Sequence, residues 1–312
     1  MNASLILKII GIVLVVAVLA GWFFFRFALE KDFALGVKFK IPEDGEYHKS
    51  YFPDENEAKF FYDNAYKKEV VCKDRLKLVG YLLKAKDSHK YIIMCHGFLG
   101  SHKEMIKNAL YLNKKGFNCL LVDARAHGDS QGRYRGMGYL ERIDMLYWID
   151  MIMKQDKDCK IALYGRSMGA TTVMFTACEE TMPENVKCVV EDCGYGSVDD
   201  EFKYQITRKY HLPSFPIVIM ASELCKSYAK YSFEEANLFR IIDKNPYPTL
   251  FIHGDQDDFV PYENLDMLYD RATCEKEKYV VEGAGHCFAF IKNPEKYYDT
   301  MLDFINRHMS SD

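Results

Sequence analysis

The chain predicts an alpha/beta domain: a mostly parallel, doubly wound sheet with an inserted helical cap, preceded by a single apolar helix. Three observations carry that expectation. Short apolar runs suited to strands alternate with helical patterns from about residue 66 onward, a rhythm that implies right-handed crossovers between parallel strands. The rhythm stops between Gly196 and Pro246, where the pattern is helical and interrupted by Pro213 and Pro216. At the N-terminus, the 17 residues from Ile9 to Phe25 carry no charge and lie between Lys8 and Arg26.

The apolar segment comes first. As a helix, Ile9 to Phe25 would extend about 25 Å at ~1.5 Å per residue, and flanking apolar residues with snorkelling of Lys8 and Arg26 bring it to bilayer length. Trp22 and the following phenylalanines sit at one end, the place of an aromatic belt. Residues 4 to 28 are therefore expected to form a transmembrane anchor. A signal peptide cut after Val18-Leu19-Ala20 competes with it, but the apolar run continues past that point. Basic residues after the span (Arg26, Lys31, Lys38, Lys40) outnumber Lys8 before it, which favours a cytoplasmic catalytic domain. The ten cysteines lack a compact spacing pattern and point the same way.

Residues 29 to 66 read as a juxtamembrane connection with some helix near Glu55 to Tyr66, and residues 67 to 312 as the globular domain. Lys68 to Cys72 and Leu76 to Leu83 flank Asp74 as a hairpin. Strands follow at Lys90 to Cys95, Asn118 to Val122, Lys160 to Tyr164, Val186 to Glu191, Thr249 to His253 and Lys278 to Val281. Helices fall between them, at His102 to Lys115, Tyr139 to Lys154, Ser167 to Cys178, Tyr262 to Ala272 and Pro294 to His308. Residues 197 to 246 are read as a cap over the C-terminal strand ends, where open alpha/beta sheets bind ligands. With 49% hydrophobic and 28% charged residues the chain is globular in composition, and a net charge of -4 gives no reason to expect a nucleic-acid partner.

Chemistry concentrates at strand ends. Gly165-Arg166-Ser167-Met168-Gly169 lies between an apolar strand and a helix, the context in which G-x-S-x-G makes a strained elbow and presents a serine at a helix N-terminus. A serine hydroxyl needs a base to become a nucleophile. His286, after the last strand in Gly283-Ala284-Gly285-His286, is placed to be that base. The orienting acid is sought in His253-Gly254-Asp255-Gln256-Asp257-Asp258, with Asp192 at the end of another strand as a fallback. Backbone N–H groups of Met168 and of Phe98, in the loop after Cys95, are the candidate oxyanion donors. No metal-ligand spacing occurs, and neither a metal nor an organic cofactor is implied.

Taken in order, His96-Gly97-Phe98, Asp123-Ala124-Arg125-Ala126-His127-Gly128-Asp129-Ser130, the GRSMG elbow, HGDQDDFVP and GAGH resemble the alpha/beta-hydrolase superfamily. The likeness is to its prolyl-oligopeptidase-like and membrane-anchored bacterial hydrolases, serine aminopeptidase-like members among them, and it spans roughly residues 66 to 308. The resemblance implies an alpha/beta-hydrolase fold and makes Asp257, the D of H-G-x-x-D, the acid of the triad with Ser167 and His286. Asp255 and Asp258 then read as turn or capping residues. Ala126 departs from the glycine often found there. The implied function is hydrolysis of a small-molecule or lipid ester through an acyl-serine intermediate. Cleavage of short peptides and non-catalytic binding are the alternatives, and acyl length and oligomeric state stay open.

Overall fold

The computed structural model describes residues 3–33 and 50–310. Eight strands form one sheet: β1 (Ala65–Val71), β2 (Lys77–Leu83), β3 (Lys90–Cys95), β4 (Asn118–Val122), β5 (Lys160–Arg166), β6 (Val186–Asp192), β7 (Thr249–Gly254) and β8 (Lys276–Val281). Their order is β1-β2-β4-β3-β5-β6-β7-β8. β1 pairs antiparallel with β2, and β2 with β4; every later pairing is parallel. The order reverses about β3, so the loops after β3 and β5 emerge side by side at the C-terminal edge, the place where such sheets bind ligands.

The strands read as continuous apolar runs because both faces are covered. Along β3, Ile92 and Met94 face one core, and Tyr91, Ile93 and Cys95 face the other. Cys119 and Leu121 of β4 alternate with Leu120 and Val122 in the same way. Helices Ile106–Lys114 and Pro294–Ser310 cover the first face, and helix Glu141–Gln155 the second through Trp148, Ile149 and Ile152.

Two stretches differ from the sequence expectation. Helix Glu55–Asn64, closed at its start by an Asp54–Glu57 capping box, packs on the domain through fully buried Phe61, and β1 begins at Ala65. The last part of the expected connection therefore belongs to the core, a placement that one buried aromatic in a charged segment does not advertise. The N-terminal helix, Ala3–Leu29, also does more than precede the domain. Its first two-thirds is largely exposed, whereas Ala17, Gly21, Phe25 and Ala28, at helical spacing, are buried. Burying a side chain the size of Phe25 is worth about 1.5–3 kcal/mol.

That helix packs against the cap. The cap contains helix Val198–Lys209, started by the Ser197 side chain accepting from Asp200 N, and helix Ser214–Tyr228, whose start is irregular at Phe215. Cap, N-terminal helix and helix Glu263–Arg271 share one apolar core above the strand ends.

Candidate active site

The site is assembled by loops at the C-terminal ends of β3, β5, β7 and β8. The turn after β5 is sterically extreme. Ser167 has φ 55° and ψ -120°, a left-handed backbone that costs a non-glycine residue of order 1–3 kcal/mol. Its neighbours must be glycines. A Cβ on Gly165 would lie 2.0 Å from the Gly169 carbonyl oxygen, and one on Gly169 would lie 2.2 Å from that of Cys95. The conformation is held by Ser167 N–H donating to the Asp192 carbonyl at 2.8 Å and by helix Met168–Ala177, which starts immediately after it.

Ser167 Oγ lies 2.8 Å from His286 Nε2. His286 Nδ1 in turn lies 2.7 Å from Asp257 Oδ2. The other Asp257 oxygen accepts from the backbone N–H groups of Phe259 and Val260, both at 2.9 Å, which fixes the carboxylate. The structure thus brings Ser167, His286 and Asp257, 119 and 29 residues apart in sequence, into one hydrogen-bonded chain. Burial alone would raise the pKa of Asp257, but the charge of His286 and hydrogen bonds from His253 and His286 hold it well below the usual carboxylate range. Burial disfavours the His286 imidazolium; Cys193 and Asp257 oppose that and raise its pKa well above the ordinary histidine value. Because burial also keeps the Cys193 thiol protonated, the anion that matters is Asp257.

The remaining acid candidates are occupied elsewhere. Asp192 accepts from the Tyr297 hydroxyl at 2.7 Å and sits 3.7 Å from Arg166. Asp255 accepts from Gly283 N–H at 2.7 Å, and Asp258 is exposed at the surface. Asp123, in the D-x-R-x-H-G segment, accepts from the His102 N–H at 2.7 Å and the Asp129 N–H at 2.9 Å. Although burial would raise its pKa, bonding to His102 pulls it down to about 2.

Phe98 lines the same cavity as Ser167, and Met168 follows Ser167 directly. A Cβ added at Gly97 would touch the Ser167 side chain at 3.5 Å, so the loop after β3 runs directly beside the serine. Met168 opens the helix that follows it.

Above Ser167 is a cavity of about 320 Å³. Phe98, Leu99, Phe202 and Phe259 line it, with the Phe259 ring 4.8 Å from that of His286 and tilted 32° to it. Polar groups are few: Gln205 donates to Glu201 at 2.8 Å, and burial raises the Glu201 carboxyl to about 7. Sequence reasoning missed Glu201, and it missed the cysteines beside the base, Cys193 and Cys287, whose sulfurs are 3.6 Å apart. It also missed Phe24, Phe27 and Ala28 of the N-terminal helix, which line the same cavity. Their only sequence signal is an aromatic cluster, which reads equally well as a membrane-interface belt.

Comparison with known proteins agrees with this architecture. Residues 90–219 match the family described as alpha/beta hydrolase fold. An uncharacterized protein of Bacillus subtilis, YqkD, is 28% identical over 228 residues, covering 73% of this chain and 74% of that one. The lysophosphatidylserine lipase ABHD12 of Danio rerio is 24% identical over 199 residues, 61% of this chain and 49% of that protein. Among solved structures, the Pyrococcus furiosus esterase Pf2001 superposes with a TM-score of 0.66 at 24% identity, covering 80% of this chain and 94% of that one. The chain has the alpha/beta-hydrolase fold, as its motifs imply.

Proposed function

We propose that this alpha/beta hydrolase is a serine esterase, with Ser167 as nucleophile, His286 as base and Asp257 as the acid that orients it. The observation that carries the reading is the Asp257–His286–Ser167 chain, at 2.7 and 2.8 Å, on the floor of an apolar cavity. His286 Nε2 takes the Ser167 proton as Oγ attacks the ester carbonyl, and Asp257 stabilises the imidazolium that forms. The oxyanion is received by the N–H groups of Met168 and Phe98, each worth about 3 kcal/mol in the transition state. Collapse breaks the alkoxy C–O bond, and the leaving alcohol takes the proton from His286. Water, deprotonated by the same nitrogen, then hydrolyses the acyl-serine and restores the hydroxyl. An ester is favoured over a peptide because the cavity is lined mainly by aromatic and aliphatic side chains. A lipid-like ester fits that lining, and ABHD12 is named as a lysophosphatidylserine lipase.

The N-terminal helix Ser4–Leu29 is long and apolar enough to cross a membrane. We read it as an anchor that holds the hydrolase domain at the cytoplasmic face, the side favoured by Arg26, Lys31, Lys38 and Lys40.

Labelling with a fluorophosphonate tests the catalytic assignment. The wild type is expected to label, and Ser167→Ala and His286→Ala are expected not to. Labelling that survives Ser167→Ala would name another nucleophile. No labelling of folded wild type would favour a binding protein.

A further inference from the structure

We infer that the N-terminal helix is the outer wall of the acyl-binding cavity and sets the length of acyl chain accepted, so that the substrate is a long-chain acyl ester of a single-chain amphiphile. The inference rests on the serine-esterase reading and adds the substrate class and a specificity element.

The first support is direct lining. Phe24, Phe27 and Ala28 border the cavity that contains Ser167, with Phe24 edge-on to Phe202 of the cap at 5.2 Å and Phe27 edge-on to Tyr210 at 6.3 Å. Removing the helix would therefore open one side of the cavity to its surroundings.

The second is that the docking is specifically built. Where the helix crosses cap helix Ser214–Tyr228, a Cβ on Gly21 would lie 2.5 Å from Met220 Cβ and 3.2 Å from the Ile217 carbonyl oxygen. Only glycine permits that approach. Seven residues on, buried Arg135 donates to the Ala28 and Glu30 carbonyls at 3.4 and 3.0 Å, while its own N–H donates to the Leu29 carbonyl at 2.8 Å. A cation on the last carbonyls of a helix satisfies its exposed acceptors and complements its dipole. Glu30 also pairs with Tyr134 across a β-bridge. The helix end is thereby tied to the loop that carries Met137, another residue of the cavity.

The third is continuity. The helix that walls the cavity runs on toward the N-terminus as an exposed apolar rod, with Leu7, Ile12 and Leu19 each at least 60% exposed, and the cap helix it crosses exposes Phe215 and Ile219. An apolar surface of this extent on a soluble protein marks a membrane or partner contact. An acyl chain leaving a bilayer along that rod meets the cavity without crossing water. At about 320 Å³ the cavity lies at the low end of the roughly 300–1,000 Å³ usual for small-molecule sites, room for one chain rather than two.

The test uses the full chain in detergent micelles with p-nitrophenyl esters from acetate to palmitate, reading kcat/KM for each. Every methylene buried against the wall should raise kcat/KM about fourfold. Ala28→Leu, which fills the cavity by three carbons, should lower the decanoate-to-acetate ratio about 50-fold. Phe24→Ala should move the optimum to longer chains. These opposite shifts cannot both come from general destabilisation. The inference is overturned if both variants turn over acetate with the wild-type chain-length profile. If wild type neither hydrolyses acetate nor labels with a fluorophosphonate, the esterase reading fails, and this inference falls with it.

Discussion

The floor of the cavity and its roof are built on different physical terms. The floor is made by strand-end loops and held by short directional contacts: a strained serine between two obligatory glycines, and a hydrogen-bonded file of Ser167, His286 and Asp257. The roof is made by the cap and the N-terminal helix and is held by apolar packing, with Phe202, Val218 and Phe25 buried in one cluster. Hydrogen bonds set positions to fractions of an ångström, whereas apolar packing sets volume and tolerates changes of shape. If the proposed esterase reading holds, substitutions in the floor should therefore change how fast any ester reacts, and those in the roof which ester reacts.

The largest expected effect is in the floor. Asp257→Asn should lower kcat about ten-thousand-fold by favouring the wrong imidazole tautomer. The pH profile should move as well. In the proposed mechanism His286 acts as a base only when neutral, and Asp257 raises its pKa, so wild-type kcat/KM is expected to climb with pH above the ordinary histidine value of 6.5. Removing the carboxylate should shift that limb to lower pH. A profile that stays put would mean that another group supports the histidine.

Next in size is Gly169→Ala. The added methyl meets backbone at the Cys95 carbonyl, which cannot swing aside as a side chain can. A loss at the upper end of the roughly 1–3 kcal/mol typical of overpacking is expected in a denaturant melt. A loss below about 1 kcal/mol would show that the elbow has more slack than its geometry implies.

An effect of similar size, confined to high pH, comes from the roof. Glu201 is a buried carboxyl whose pKa is raised to about 7 by burial. Its ionisation is resisted in the folded chain only, so it lowers stability as pH rises past the unfolded value and does so fully above about 7. Glu201→Gln keeps an acceptor for Gln205 and removes the charge. It should stabilise the protein at pH 8 by roughly 3 kcal/mol and hardly at all at pH 4. An equal gain at both pH values would assign the effect to packing rather than charge.

The sequence by itself determined the alternation that makes the sheet, since apolar runs such as Tyr91–Cys95 need only their own composition to read as buried strands. It also determined half of the G-x-S-x-G elbow: Gly165 is held to glycine by the Gly169 carbonyl four positions on, whereas Gly169 is held to glycine by the Cys95 carbonyl, which only the fold brings near. Residue type alone did not separate the three carboxylates within residues 255–258; the H-G-x-x-D resemblance singled out Asp257, and the fold aims it at His286 while Asp255 turns to Gly283. The roof was the least legible part. Phe24, Phe27 and Ala28 reach Ser167 through packing against residues some 175 or more positions away, such as Phe202. A tertiary contact of that kind leaves no local spacing, because apolar surface attracts apolar surface without direction.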